Sequence, residues 1–343
     1  MASAIAEQSN LEKLRNEINL YFHKMSSRDS TGKLALRILK YFSDIVTYAK
    51  YKTVDELIAI LMSDGELLYS AHSSEFLIRN MLLSVLKIIR EESLRQTSGM
   101  DETFTQTDSL NRLWFLPSDV NAATDIKKIK GGILVSLGEY QMEMENSVES
   151  LASKALQEFL ISEYSDIVMT YKFSKSETLK KFFSNVKTKI LYSVDDDPDA
   201  QANVISSIDI LSTMRTTTRV IISAAAILPD GSCVSTAGTL SMCLAAKRHS
   251  VPVLVCASFY KLTPMFIPHL DEFNVHSSPV EILPASEALK FSNNVFIANP
   301  LFDRIPSNLI TLFITPTAVV SPSHVYRLIA ECYHPEDFRQ LHR

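Results

Sequence analysis

Glycine is in short supply: eight residues in 343, about a third of the roughly 7% usual in soluble domains. Only Gly231 and Gly238 lie beyond Gly138. The GxGxxG and GxxxxGK[ST] motifs exist because a Cβ would keep backbone amides away from a phosphate. Neither motif is present, which argues strongly against a nucleotide enzyme. Cysteine is also sparse. Cys233, Cys243, Cys256 and Cys332 form no CxxC pair and have no histidine at zinc-finger spacing, so a disulfide framework and structural zinc are not expected. Cys243 in LSMCLAAK and Cys256 in VPVLVCAS read as small buried hydrophobes of a reducing compartment.

Long apolar runs are missing too. VPVLVCAS and LITLFITPTAVV are strand-length, well short of the roughly 20 residues that cross a bilayer, so no membrane partner is expected. The N-terminal MASAIAEQSNLEKLRNE has neither the apolar core of a signal peptide nor the acid-free, Arg-rich character of a transit peptide. It reads as a mature cytosolic protein. A net charge of −5 argues against a general nucleic-acid coat. The eight histidines show no HExxH context and no GxSxG occurs, so zinc and serine catalysis lack a starting point.

What is present points to two domains, as the length suggests. From Asn10 to about Ile161 the apolar spacing is helical. Helices are expected over Leu11–Met25 and over Lys33–Ala49, the latter with Leu34, Ile38, Phe42, Ile45 and Tyr48 on one face. Thr53 and Glu56 form a capping-box pattern before LIAILM. Ser73 or Ser74 opens a long helix that closes on Arg90-Glu91-Glu92. A polar loop is expected over 96–124; its Trp114-Phe115-Leu116 reads either as a tether or as a partner anchor. Two further helices follow, one through Ile126–Tyr140, the other through Val148–Phe159. Residues 1–161 are thus expected to form a helical domain.

Past Ile161 short β-branched runs alternate with helical ones. Asp166–Thr170, Lys189–Val194, Arg219–Ser223, Val251–Cys256 and Leu309–Ile314 are expected as parallel strands, with Glu177–Asn185 and Leu240–His249 as crossovers and His324–Cys332 as a closing helix. Residues 162–343 are thus expected as an α/β domain, a Rossmann-like doubly wound sheet. The run Asp195-Asp196-Asp197-Pro198-Asp199 lacks the spacing of a calcium loop and reads as a solvated acidic loop. No metal or cofactor is expected.

Several ordered segments carry a family resemblance. The runs MLLSVLKIIREE (81–92), DIVMTYKFSKSETLKKFF (166–183), AGTLSMCLAAKRHSVPVLVCASFYKLTPMF (237–266), NPLFDRIPSNLITLF (299–313) and HVYRLIAECYHPED (324–337) resemble the alpha, beta and delta regulatory subunits of eukaryotic initiation factor 2B, and the beta type among them. The resemblance implies a Rossmann-like domain related to ribose-1-phosphate isomerases. The catalytic carboxylate of those enzymes falls on Ala225, and only Asp and Pro follow the Lys189–Val194 strand where a catalytic Cys would be sought. The passage from Val194 to Ile208 is shorter than the family pattern, and Thr315–Ser321 lacks its paired glycines.

The resemblance further implies a non-catalytic regulatory subunit of the decamer that exchanges GDP for GTP on initiation factor 2. Its partners would be alpha, gamma, delta and epsilon subunits, and the phosphorylated alpha subunit of the substrate. On the Ser73–Glu92 helix, Arg79, Asn80, Lys87 and Arg90 are candidate partner-binding residues, the cations suited to acidic or phosphorylated surface; a solvated face is the competing reading. In the tail, Tyr326, Arg327, Tyr333 and His334 have interface composition, although burial explains the tyrosines equally. An isomerase or sugar-phosphate sensor using amides around Thr236–Thr239, and a free-standing homodimer, are the alternatives.

Overall fold

The computed structural model describes residues 2–25, 30–72, 75–98, 126–158, 160–198, 201–267, 274–288 and 296–337. Trp114-Phe115-Leu116 and most of the expected 96–124 loop lie outside these residues. The chain divides into two compact units. The first comprises Met1–Ser147, Ser258–Pro264 and Tyr326–Arg343, the second Val148–Ala257 and Met265–Val325. The expected division at 161/162 differs from this one, because a short internal segment and the tail complete the helical unit.

In the first unit, α1 (Ala2–Met25) and α2 (Thr31–Tyr48) are followed by α3 (Val54–Ala71), α4 (Phe76–Ser98) and α5 (Ile126–Gln157), whose residues from Val148 on belong to the second unit. The buried stripe of α2 is Ala35, Ile38, Leu39, Phe42, Ile45 and Val46, the i, i+3/i+4 pattern of a core-facing helix. Tyr48, expected on that face, is exposed. At the start of α3 the Thr53 hydroxyl accepts the Glu56 N–H at 3.2 Å. The Glu56 carboxylate returns to the Lys52 N–H at 2.7 Å, one residue outside the usual capping box.

Helix α4 starts at Phe76, later than expected, and runs past Arg90-Glu91-Glu92. That run does not stop it because Glu92 is buried and takes bonds from Arg95 at 3.1 Å and Gln96 at 2.8 Å, which carry the helix on another turn. Gly132 of α5 faces the same carboxylate, where an added Cβ would overlap it. The two helices expected over Ile126–Tyr140 and Val148–Phe159 are one, α5. The intervening GlnMetGluMetGluAsnSer contains no proline and mostly strong helix formers.

The tail folds back onto α4. Arg90 donates from Nε to both carboxylate oxygens of Asp337, at 3.1 and 3.0 Å, and from its terminal nitrogen at 2.6 Å. The Asp337 side chain is wholly buried and that of Arg90 18% exposed. Lys87 donates to the Glu331 carbonyl, and the Tyr333 hydroxyl to the Leu262 carbonyl. Asn80, also buried, donates to the Tyr260 carbonyl at 3.1 Å.

The second unit holds β1 (Ile167–Tyr171), β2 (Ile190–Val194), β3 (Asn203–Ile205), β4 (Arg219–Ser223), β5 (Ala226–Ile227), β6 (Cys233–Thr236), β7 (Val253–Cys256), β8 (Phe302–Ile305), β9 (Leu312–Ile314) and β10 (Val319–Val320). The main sheet runs β10-β9-β7-β4-β1-β2-β3. The pairings from β9 across to β3 are parallel and β10 pairs antiparallel with β9. This is the strand order of a doubly wound Rossmann sheet, reversing direction between β1 and β4. Its helices are α6 (Glu177–Asn185) and α7 (Thr239–Arg248); α8 (Val325–Cys332) follows the last strand and, from Tyr326 on, belongs to the helical unit. The core joins Val168, Phe173, Leu179, Phe182, Ile221 and Leu254 to Leu151 and Ala155.

A second sheet, β5-β6-β8, was not expected. Its β5–β6 hairpin turns at Gly231, whose φ is +74°, and Asp230 accepts the Ser232 N–H at 2.9 Å. The Asp-Gly pair in ILPDGSCV is the sequence signal for this turn.

Two measurements test the tail clamp. Asp337→Ala removes the buried partner of the Arg90 guanidinium, leaving it the exposed Glu336 carboxylate at 3.5 Å, and is expected to cost about 3 kcal/mol in urea unfolding; a loss below 1 kcal/mol would show the pair to be dispensable. His334 is buried, and its Nδ1 accepts the Glu336 N–H at 3.3 Å. Burial, then Arg90 and Lys87, hold its pKa below the ordinary histidine value, against the opposing pull of Asp337 and Glu336. The folded state therefore binds fewer protons than the unfolded one as pH falls below about 6.5. Stability from this group is full above that pH and is lost toward the folded-state value. His334→Gln should flatten this slope in melting temperatures measured between pH 7.5 and 5.

Candidate functional site

A doubly wound sheet offers its crevice at the strand carboxyl ends where the order reverses, here at the ends of β1 and β4. After β1 the chain enters the left-handed region at Lys172, φ +45°, and after β2 it does so at Asp195, φ +49°. Both are uncommon conformations for residues with a Cβ. They let the Lys172 N–H reach the Val194 carbonyl at 3.1 Å and the Asp195 N–H the Ile205 carbonyl at 3.0 Å. The strand ends are thereby tied sideways to one another.

The polar groups at this end of the sheet are bonded mainly to each other. Ser176 caps α6 by accepting the Leu179 N–H, and its hydroxyl donates to that of Ser223, at the end of β4, at 3.0 Å. Ser235 donates to the Ser223 carbonyl at 2.8 Å. Asp196 accepts from the Ser174 N–H at 2.8 Å, the Ser174 hydroxyl and the Ser193 hydroxyl at 2.6 Å. Burial alone would raise its pKa, but these bonds outweigh it and hold the carboxyl below its ordinary value. The expected solvated acidic loop is in part a hydrogen-bonded strand-end cap. Asp199 lies outside the described residues.

The amides that would hold a phosphate are already occupied. Asp303 on β8 accepts the Gly238 N–H at 2.7 Å and the Leu240 N–H at 3.1 Å with one carboxylate oxygen, at the N-terminus of α7. This is where an anion is favoured by free N–H groups and the helix dipole. Gly238 has φ +100°, and an added Cβ would overlap the Tyr171 hydroxyl. Burial, followed by Asp195 and Asp303, pushes the Tyr171 pKa up to about 12. The phenol stays protonated and faces Asp195 at 3.4 Å. The amides expected around Thr236–Thr239 are thus present, with two of that turn's N–H groups taken by the chain's own carboxylate. Nothing in the local sequence around STAGT announces Asp303; it arrives through β6–β8 pairing, in which Thr236 lies opposite Phe302.

The Asp196 and Asp303 carboxylates at this crevice are taken up by hydrogen bonds from the chain itself. Ala225, at the isomerase carboxylate position, gives its N–H to the Val234 carbonyl at 2.8 Å. Cys233, Cys243 and Cys256 are buried thiols, not disulfide-bonded. Burial pushes the Cys243 thiol up to about 12 and the Cys233 thiol well above its ordinary value, the reverse of what a nucleophilic thiolate needs.

The eight candidate partner-binding residues all fall in the helical unit, and most are engaged inside it. Arg79 lies 3.7 Å from the Tyr69 ring centroid and pairs with Glu66 at 3.3 Å. Asn80, Lys87 and Arg90 serve the internal bonds given above. Tyr333 and His334 are buried. Helical periodicity places these groups on α4 and the tail, yet has no means of showing that the two segments face each other. Tyr326, 66% exposed, and Arg327, whose side chain is 77% exposed and which pairs with Glu331 at 3.0 Å, remain at the surface.

The architecture is that of a Rossmann-like α/β unit whose switch-point polar groups are tied to one another. The chain belongs to the initiation factor 2 subunit family, whose family model matches residues 27–322. It is similar to the eIF2B beta subunit of Dictyostelium discoideum, 31% identical over 64% of this chain and 59% of that protein. The eIF2B beta subunit of Schizosaccharomyces pombe is 24% identical over 96% of this chain and 98% of that one. A ribose 1,5-bisphosphate isomerase of Pyrococcus furiosus is 25% identical over 60% of this chain and 68% of that one. The fold is that of eIF2B beta from Chaetomium thermophilum, with a TM-score of 0.70, 19% identity and coverage of 96% and 94%. The tetrameric eIF2B beta2-delta2 complex from C. thermophilum matches with a TM-score of 0.66, 18% identity and coverage of 95% of both chains.

Asp303→Ala should leave two N–H groups of α7 without their carboxylate and lower stability by about 1–2 kcal/mol. Chemical denaturation checks this; an unchanged midpoint would mean that solvent replaces the carboxylate without loss.

Proposed function

We propose that this chain is the beta-type regulatory subunit of the exchange factor that replaces GDP by GTP on initiation factor 2. On this reading it assembles in the cytosol with alpha, gamma, delta and epsilon subunits into a two-fold decamer. Catalysis belongs to a partner, and the helical unit meets the alpha subunit of initiation factor 2 and registers its phosphorylation. The observation that carries the reading is the self-occupied switch point: Asp303 takes the place of an anion on the α7 amides, and Ala225 stands where the resemblance puts the isomerases' proton-transferring carboxylate. Similarity to beta subunits along nearly the whole chain adds to it. Among the described residues no helix is long and apolar enough to cross a membrane.

The partner-binding expectation concentrates on Tyr326 and Arg327, the two of the eight that stand at the surface. An exposed Tyr beside an Arg is suited to an interface anchor. Of the other six, Lys87 and Arg90 tie α4 to the tail that follows this surface, at Glu331 and Asp337.

Affinity purification of the tagged chain from its own cells should recover the other four subunits. The recovered complex should release GDP from initiation factor 2, and the isolated chain should not. Recovery of the chain alone would overturn the reading and return the α/β unit to the sugar-phosphate alternative. The double variant Tyr326→Ala/Arg327→Glu should reduce recovery of at least one subunit at least fivefold with an unchanged melting temperature. Full recovery would remove these two residues from the interface.

A further inference from the structure

Parallel neighbours in a sheet are joined by a crossover that packs on one face, and such crossovers take about 10–12 residues or more. β2 ends at Val194 and β3 begins at Asn203. The eight residues between them, 195–202, contain no helical turn among those described. In a doubly wound sheet the crossovers after the first and second strands lie side by side on the same face. The first is present as α6. The place beside it, over β2 and β3, has no helix of this passage to fill it.

That place is a cavity of about 940 Å3, bounded by α6, the turn after it, β2 and the short passage into β3. Its floor is apolar: Phe183, Leu191 and Ala202 line it, and each packs against the core cluster while staying only partly buried. Such half-covered side chains are what a packed helix would normally enclose. The exposed sides carry Lys180, Lys187 and Lys189. Among the described residues the carboxylates lining the cavity are Glu163 and Asp197, and Asp197 accepts the Ser174 hydroxyl at 3.1 Å. The described ion pairs use none of the three lysines.

We propose that this groove receives an amphipathic helix of another polypeptide, apolar on one face and rich in Asp and Glu beside it, which supplies in trans the crossover that the β2–β3 passage lacks. The apolar floor sets the mode of docking, with side chains at i, i+3, i+4 and i+7 entering the groove. The lysine rim sets the sign of the partner's charge and rejects a basic helix. A phosphate or nucleic-acid backbone would find lysines here but no use for Phe183 and Leu191.

The test uses the full chain and a fluorescein-labelled synthetic 16-residue helix with leucines at that spacing and glutamates at the flanks. Its controls are the same peptide with lysine for glutamate and one with serine for leucine. Anisotropy should show saturable binding of the acidic peptide and at least tenfold weaker binding of both controls. Lys180→Glu/Lys187→Glu/Lys189→Glu, all exposed, should weaken the acidic peptide at least tenfold without changing the melting temperature. Lack of saturation, equal affinity for the acidic and basic peptides, or indifference to charge reversal would overturn the proposal. Binding of an oligouridylate that the triple variant abolishes, with no peptide binding, would overturn it in favour of a nucleic-acid groove. The readout needs no other subunit, so it stands or falls apart from the proposed function.

Discussion

The helical unit depends on a buried carboxylate that α4 alone can neutralise. Asp337 is sealed from solvent, and Arg90 meets it with the planar, two-nitrogen geometry that suits a carboxylate. A charge in that position is tolerable only when paired, so the pair fixes where the tail lies along α4 as much as it adds net stability. Everything nearby agrees with that register. Lys87, one turn earlier on the same helix, reaches the Glu331 carbonyl. Tyr333 reaches the segment 258–264 through Leu262, and that segment accepts Asn80 through Tyr260. Two stretches distant in sequence, the tail and the segment 258–264, thus meet at α4.

In the α/β unit, Asp303 plays a comparable part. A doubly wound sheet presents two features that favour an anion at its switch point, a helix N-terminus and free amides in a tight turn. Here the turn is kept, with Gly238 in a left-handed conformation and Tyr171 filling the space a side chain would need, while the anion is covalently part of the chain. Ser176, Ser223 and Ser235 complete a polar layer that bonds to itself. The scaffold has therefore retained the geometry of a ligand-binding fold while satisfying it internally, which suits a part valued for its shape.

The elements that were legible in the sequence are those whose signal is local. Arg219–Ser223 and Glu177–Asn185 emerge with the expected ends because one is a buried β-branched run and the other is opened by a Ser cap. Thr53 announces α3 in the same way. The single helix α5 was read as two because Gly138 and a polar stretch interrupt the apolar stripe, although nothing there breaks a backbone. The β5–β6 hairpin was overlooked despite its Asp-Gly turn, since each strand is too short to show alternation. Least legible were the non-local contacts: Asp303 reaching α7 through sheet pairing, and Asp337 reaching Arg90 across most of the chain. Residues Arg79 to Arg90 and Tyr333 to His334 looked like surface chemistry for that reason. Their charge and aromatic character were visible, whereas their partners were elsewhere in the same chain.

The discontinuity of the helical unit has a consequence for how the protein is made. Domains generally form as units while the chain emerges from the amino end, and here the first unit to appear is the last that can be finished. Until Asp337 leaves the ribosome, Arg90 lacks its buried partner and the tail-facing side of α4 stays open, while the whole α/β unit has already been delivered. A stop between Val325 and Asp337, or slow synthesis of that stretch, would leave nascent chains with a finished sheet and an exposed helical face. Such molecules are natural substrates for chaperones and for quality control.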